Sequence, residues 1–234
     1  PVAEAIEAGK EIERIYIRKG GDSQLLNDLR DLCLRHRLRV QEVPVEKLNR
    51  LTRGNHQGAV AQIAAIGYVG LDDLLERVPD DETPLLVVFD GVTDVRNFGA
   101  IARSAECAGA HGLVTPLKNS APVNGEAIRA SAGALSNIPV CRVGSIRTTL
   151  LTLKGEGFQV VAATEKSRKL LYDADLRRPT AIVMGAEDKG ISREVLKLCD
   201  EQLAIPLVGK TESLNVSAAA AVMLFEVVRQ RIAE

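Results

Sequence analysis

Residues 84–92 read Pro-Leu-Leu-Val-Val-Phe-Asp-Gly-Val, an apolar run interrupted only where Asp90 and Gly91 end it. A strand with one wet face alternates polar and apolar side chains. A run apolar at almost every position suits a parallel sheet covered by helices on both faces. Moving outward, runs of the same kind recur at 111–116, 137–143, 157–164, 180–185 and 201–207, with helical sequence after or between them. The reading for 84–234 is therefore an α/β domain built on a parallel sheet. Ligands of such sheets collect beyond the carboxyl ends of the strands, so the chemistry is sought in the loops that follow these runs.

Upstream, 67–83 opens with Gly67, contains Gly70 and closes on Pro79, Asp80, Asp81, Glu82 and Thr83, which breaks both periodicities and predicts a linker. Residues 1–66 alternate strand-like stretches (12–17, 38–43, 60–66) with helix-like ones (2–8, 23–36, 45–52), a second and smaller α/β domain. Within 23–36, Leu25, Leu26, Leu29, Leu32 and Cys33 recur at three- and four-residue steps and predict one face packed on a sheet. Pro1 stands inside the first helical stretch, so residues upstream of it are expected.

Composition sets the outer bounds. A chain of 234 residues, 46 % hydrophobic and 3 % aromatic with no Trp, builds its core from aliphatic layers rather than an aromatic-filled sandwich. The net charge of −1 gives no overall basic excess, so any nucleic-acid site must be local. Cations do gather early, at Lys10, Arg14, Arg18, Lys19, Arg35, Arg37, Arg39, Lys47, Arg50 and Arg53, among acidic neighbours. Solvated helix faces account for them as well as a binding patch does. Cys33, Cys107, Cys141 and Cys199 are scattered singly, without C-x-x-C pairs or a histidine at ligand spacing, so no metal site and reduced thiols are expected. There is no uninterrupted apolar run of membrane-spanning length and no signal or transit pattern, which predicts no membrane partner and a cytoplasmic location.

Three loops stand out. The first, 93–99, leads toward the helical stretch 100–110; Asn97 is read as its N-cap, with Arg103 six residues on and close to the end of the strand. The second, Gly185-Ala-Glu187-Asp-Lys-Gly190, joins an apolar strand to a helix beginning near Ser192, and its glycines permit close backbone approach. The third runs from Ile205 through Ser213, Leu214, Asn215, Val216 and Ser217 into the alanines 218–221. Taken singly, each also reads as an ordinary cap or turn. Neither G-x-G-x-x-G nor G-x-x-x-x-G-K-[ST] is present, which argues against a dinucleotide-binding dehydrogenase or a nucleoside triphosphatase.

Taken together and in this order, Asn97-Phe-Gly-Ala-Ile-Ala-Arg103, Gly185-Ala-Glu-Asp-Lys-Gly190 and Ile205-Pro through Ser213-Leu-Asn-Val-Ser217 resemble the three signature motifs of the SpoU (TrmH) class of SPOUT RNA methyltransferases. The likeness is nearest to the 23S rRNA guanosine 2′-O-ribose enzymes. Residues 1–66, with Asn55-His56-Gln57-Gly58, resemble the small RNA-binding domain that such enzymes carry. Asp188-Lys189 departs from the glycine found there in many relatives.

The resemblance implies a C-terminal domain with a deep trefoil knot, S-adenosyl-L-methionine as methyl donor, a homodimer that completes each active site, and structured RNA as partner, 23S rRNA or a precursor particle. It implies catalytic roles for Arg103, Asn97, Glu187, Ser213 and Asn215, and cofactor contacts at Thr164, Gly185, Ile205 and Leu214. Arg53, His56, Gln57 and Arg129 are implied RNA contacts. A guanidinium gives up its proton only far above neutral pH, so serving as a neutral base would cost an arginine several kcal/mol. A charged Arg103 that holds phosphate and stabilises a developing alkoxide needs no such step. The alternatives are a tRNA ribose methyltransferase and a non-catalytic RNA-binding or assembly protein of the same fold.

Overall fold

The computed structural model describes residues 1–21 and 23–232, so the last two positions of the expected 84–234 domain lie outside the described residues. The chain divides into two compact units, Pro1–Gly67 and Tyr68–Glu234.

The first unit runs α1 (Val2–Glu7), β1 (Ile12–Arg18), α2 (Gln24–Arg35), β2 (Val40–Val43), α3 (Val45–Leu51), β3 (Ala59–Ile63). Its sheet order is β2-β1-β3, with β1 parallel to β2 across the α2 crossover and antiparallel to β3. Leu26, Leu29, Leu32 and Cys33 of α2 bury against Ile15 and Ile17, while Tyr16, Val43 and Leu48 pack as a separate cluster. Leu25, expected on the packed face, is 58 % exposed, because it follows directly on α2's first residue and turns away from the Leu26–Leu29–Cys33 stripe.

The second unit runs α4 (Leu71–Leu75), β4 (Leu85–Asp90), α5 (Val95–Cys107), β5 (Gly112–Pro116), α6 (Gly125–Ala130), β6 (Val140–Val143), α7 (Ile146–Gly155), β7 (Gln159–Ala163), β8 (Thr180–Gly185), α8 (Arg193–Leu196), β9 (Glu201–Leu203), α9 (Val216–Ile232). Its six strands lie in the order β6-β5-β4-β8-β7-β9, and every pairing is parallel. The apolar runs at 84–92 and 180–185 thus become neighbouring central strands, buried throughout apart from Asp90. The order reverses between β4 and β8, and their final residues, Asp90 and Gly185, stand side by side. The loops leaving these strands diverge there and open the crevice that such a switch creates. The run 201–207 yields only a three-residue strand, since after Ala204 the chain leaves the sheet and Pro206 offers no donor to extend it.

The 67–83 stretch does not behave as the expected linker. Val69 pairs with Cys141 beside β6, its N–H donating to Val140 O at 3.0 Å, and Leu74 is fully buried. Leu71, Leu74 and Leu75 form an i, i+3, i+4 stripe that packs on the core of the second unit. A five-residue helix is too short for its periodicity to show among the glycines and acids around it.

Glycine decides one helix contact. A Cβ on Gly99 would meet Ala130 Cβ at 2.5 Å and Ala127 O at 2.8 Å, so α5 and α6 touch almost backbone to backbone. Gly99→Ala is expected to lower stability by about 1–3 kcal/mol through overpacking, read as a lower urea midpoint at unchanged m. At the far end of the unit, Arg231 of α9 donates to Thr83 O (2.6 Å), Arg178 O (2.9 Å) and Pro84 O (3.1 Å), tying the last helix to the entry of β4. No described helix is long and apolar enough to cross a membrane.

Candidate active site

The loop after β4 becomes helical earlier than expected. Asp94, not Asn97, caps α5: its Oδ1 accepts from Arg96 N (2.8 Å) and Asn97 N (2.9 Å). Asp and Asn cap equally well, so sequence alone favours whichever lies nearer the obvious helical stretch. The shift frees the Asn97 side chain from capping.

That side chain meets the third motif. Asn215 immediately precedes α9, and its Oδ1 accepts from Ser217 N (2.9 Å) and from the Ser217 hydroxyl (2.5 Å). Its Nδ2 donates to Glu187 Oε1 at 2.7 Å and to Asn97 Oδ1 at 3.1 Å. One amide therefore caps a helix with its oxygen and joins the other two motifs with its nitrogen. Three segments from the start, middle and end of the unit converge on Asn97, Glu187 and Asn215 beyond the carboxyl ends of β4 and β8.

Gly185 makes a close backbone approach within its own loop. The loop turns back on itself through paired hydrogen bonds between Ala186 and Gly190 (2.8 and 3.2 Å), and a Cβ on Gly185 would run into the Gly190 carbonyl and the Ile191 nitrogen. The close approach is to the loop's own return, with Gly190 at φ +66. Asp90 Oδ2 accepts from Ser192 N at 2.7 Å and secures that return.

Beside the convergence lie two adjoining clefts. One is walled by Thr164, Leu203, Ile205 and Leu207; the other by Met184, Gly185, Glu187 and Asn215; Ala163, Glu165, Ser213, Leu214 and Ala219 belong to both. All four expected cofactor contacts, Thr164, Gly185, Ile205 and Leu214, line one or the other. Among the described residues, no backbone hydrogen bond uses an N–H or C=O of 205–214. Aliphatic walls with unpaired main-chain donors and acceptors suit a flat heteroaromatic ring with a polar edge, so the residues present fit an adenosyl group.

Arg103 is not drawn into this cluster. Six residues along α5 it is displaced about 9 Å and rotated about 240° from Asn97, and it is exposed, with no side-chain partner among the described residues. Expected out of the outer solvent, the Arg103 side chain is instead exposed. Arg129 is likewise exposed on α6. In the first unit, His56 Nδ1 accepts from Gly58 N (3.0 Å), so its Nε2 carries the proton and donates to Asn49 Oδ1 (2.9 Å). Arg53 and Gln57 flank it and are exposed, Gln57 at φ +49.

Ser217, Asp94 and Asp90 are structural partners that the sequence pattern does not single out; Ser217 is legible only as the second hydroxyl of a Ser-Leu-Asn-Val-Ser run. Burial pushes the thiols of Cys141 up to about 11 and Cys199 up to about 12, which keeps both protonated and unreactive. Among the described residues, no group of three or more His, Cys, Asp or Glu side chains is placed to hold a metal.

Known proteins resemble this chain in sequence and fold. Residues 84–225 match the model of the SpoU rRNA Methylase family, and residues 1–69 that of the RNA 2′-O ribose methyltransferase substrate binding domain. A tRNA/rRNA methyltransferase of Synechocystis sp., itself uncharacterized, is 38 % identical over 98 % of this chain, which spans 61 % of that protein's length. A protein of Bacillus subtilis named as a TrmH family tRNA/rRNA methyltransferase is 34 % identical over 98 % of this chain and 93 % of its own. The SpoU methyltransferase AviRb of Streptomyces viridochromogenes, crystallised with AdoMet, superposes with a TM-score of 0.66 at 28 % identity, covering 100 % of this chain and 88 % of that one. With its three loops joined through one asparagine at the switch point of a parallel sheet, the chain belongs to the SpoU rRNA methylase family.

Proposed function

We propose that the protein transfers a methyl group from S-adenosyl-L-methionine to a ribose 2′-hydroxyl, with a guanosine of 23S rRNA, free or in a precursor particle, as substrate. The observation that carries this reading is the Asn97–Asn215–Glu187 junction, which sets polar groups from all three motifs against a cleft fitted to adenosine. Residues 163–164, 203–207 and 214 would hold the cofactor, which supplies a methyl group on a positively charged sulfur with a good leaving group. Residues 1–66 grip the RNA through their cationic side chains and the Arg53–Gln57 loop, reading backbone and shape more than base sequence. Arg129 adds a phosphate contact.

A ribose hydroxyl is a weak acid and a poor nucleophile, so the site must stabilise charge as the oxygen attacks. Asn97 and Asn215 orient the ribose and the arginine, Glu187 accepts hydrogen bonds, and Ser213 contributes a hydroxyl at the mouth shared by both clefts. Arg103, exposed and without a side-chain partner among the described residues, faces the site of a second copy, where it holds the target phosphate and the developing alkoxide. The working unit is then a cytoplasmic homodimer. A trefoil knot is part of the same reading; Asn215, just before α9, touches both Asn97 after β4 and Glu187 after β8.

The test is transfer of radiolabelled methyl from S-adenosyl-L-methionine to large-subunit rRNA and, in parallel, to bulk tRNA, followed by nuclease mapping of an alkali-resistant 2′-O-methyl dinucleotide. Labelled rRNA dinucleotide is the expected result. Label confined to tRNA moves the substrate, and label in neither makes the chain an RNA-binding protein of this fold.

A further inference from the structure

Ser217 is the second residue of α9, lines neither cleft and is part-buried. It does hold Asn215 with two donors, its backbone N–H at 2.9 Å and its hydroxyl at 2.5 Å, both on the same oxygen. A backbone N–H can only donate, so the amide atom that faces it must be oxygen. The NH2 group is thereby turned toward Glu187 and Asn97. The orientation then propagates: because Asn215 donates to Asn97, the Asn97 atom facing it must be oxygen, and the Asn97 NH2, which has no partner among the described residues, is left as the free end.

We propose that Ser217 is a positioning residue for methyl transfer, fixing the polarity of the Asn215 amide so that Asn97 offers a hydrogen-bond donor, not an acceptor, to the substrate. This inference rests on the reading of the site given above. It follows that Asn97 cannot take the proton of the ribose hydroxyl. It donates instead to an oxygen that gains negative charge as the reaction proceeds, an interaction stronger in the transition state than in the ground state. Were the Asn215 amide reversed, its oxygen would face the Glu187 carboxylate, and Asn97 would have to turn its own oxygen outward. The backbone N–H sets the sense of the amide; the Ser217 hydroxyl, which could equally accept, adds a second hydrogen bond to the same oxygen and so holds the amide against swinging away from Glu187 and Asn97.

Ser217→Ala keeps the backbone cap and removes only the hydroxyl, whereas Ser217→Thr keeps both donors. In the full chain, Ser217→Ala is expected to lower kcat for RNA methylation about tenfold, the loss of one hydrogen bond, with KM for RNA and for S-adenosyl-L-methionine within about twofold of the parent. Ser217→Thr is expected to restore most of kcat. Unchanged kcat in Ser217→Ala, or a Thr variant as impaired as the Ala variant, overturns the proposal.

A second readout needs no activity. The side-chain NH2 signals of Asn97 in 15N–1H spectra are expected to move in Ser217→Ala and return in Ser217→Thr, although Ser217 does not touch Asn97. Stationary Asn97 signals overturn the proposal whatever the enzyme does. Absence of methyl transfer by the parent protein to rRNA or tRNA instead overturns the reading of the site, and the spectra still decide the orientation of the amides.

Discussion

Replacing Arg103 by alanine is expected to cut methyl transfer by about 100- to 1000-fold while folding and cofactor binding survive. The side chain is exposed and bonded to no described residue, so its removal leaves no buried group unpaired and costs the fold little, within about 0.5 kcal/mol for such a surface position. The adenosyl cleft is built from other segments, 163–165, 203–207 and 213–214. What is lost is a cation aimed at charge that develops during the reaction, and removal of one such donor costs a rate factor of about this size. Arg103→Lys restores charge without the two-pronged guanidinium and should recover only part of the rate. Equilibrium dialysis with labelled cofactor and initial rates on RNA check both halves. A variant with parental turnover would remove Arg103 from the mechanism.

Asn215→Asp is expected to be nearly as damaging, for a reason the fold makes specific. The new carboxylate still accepts from Ser217, and aspartate caps a helix as well as asparagine, with a favourable charge at the helix N-terminus. Helix α9 therefore stays in place. The other carboxylate oxygen now stands where an NH2 group stood, facing Glu187 Oε1 and Asn97 Oδ1. The attraction to Glu187 becomes a repulsion and Asn97 turns its NH2 inward, so transfer should fall by about 100-fold, as when a preorganised polar group is lost from an active site.

The pH dependence gives a second check. Like charges side by side raise the pKa of the carboxyl pair, so one proton is held between them increasingly as pH falls, and a protonated carboxyl can donate again. Activity of Asn215→Asp relative to the parent should therefore rise toward acid pH. A constant ratio across pH 5–8 would contradict the geometry.

Much of this site is legible in the amino-acid sequence. The apolar runs at 84–92 and 180–185 announce central parallel strands, and the motif residues Asn97, Glu187 and Asn215 are identifiable by resemblance. What the sequence does not disclose is which side chain meets which. Strand order is not written in local periodicity, so nothing in the sequence says that β4 lies beside β8 rather than β7. Asp94 and Asn97 compete as caps on equal chemical terms, and the fold decides by starting α5 at Val95. Helical phase carries Arg103 to the outside because six residues bring a side chain to a different face of the helix. Leu74 is hidden in a stretch whose glycines and acids signal a linker, and it is buried because three leucines at helical spacing suffice for one short turn of helix.

The junction of Asn97 with Asn215 also bears on how the protein is made. The two residues are 118 positions apart in the chain. At a synthesis rate of about 5–20 residues per second, the earlier one emerges from the ribosome roughly 6–24 s before the later. Strands β4 to β8 can pair during that interval, yet Asn97 and Glu187 have nothing to join them until the segment before α9 is released. A nascent chain thus lacks the link between its three motifs until Asn215 and Ser217 have emerged, and on the proposed reading it stays inert toward RNA until then.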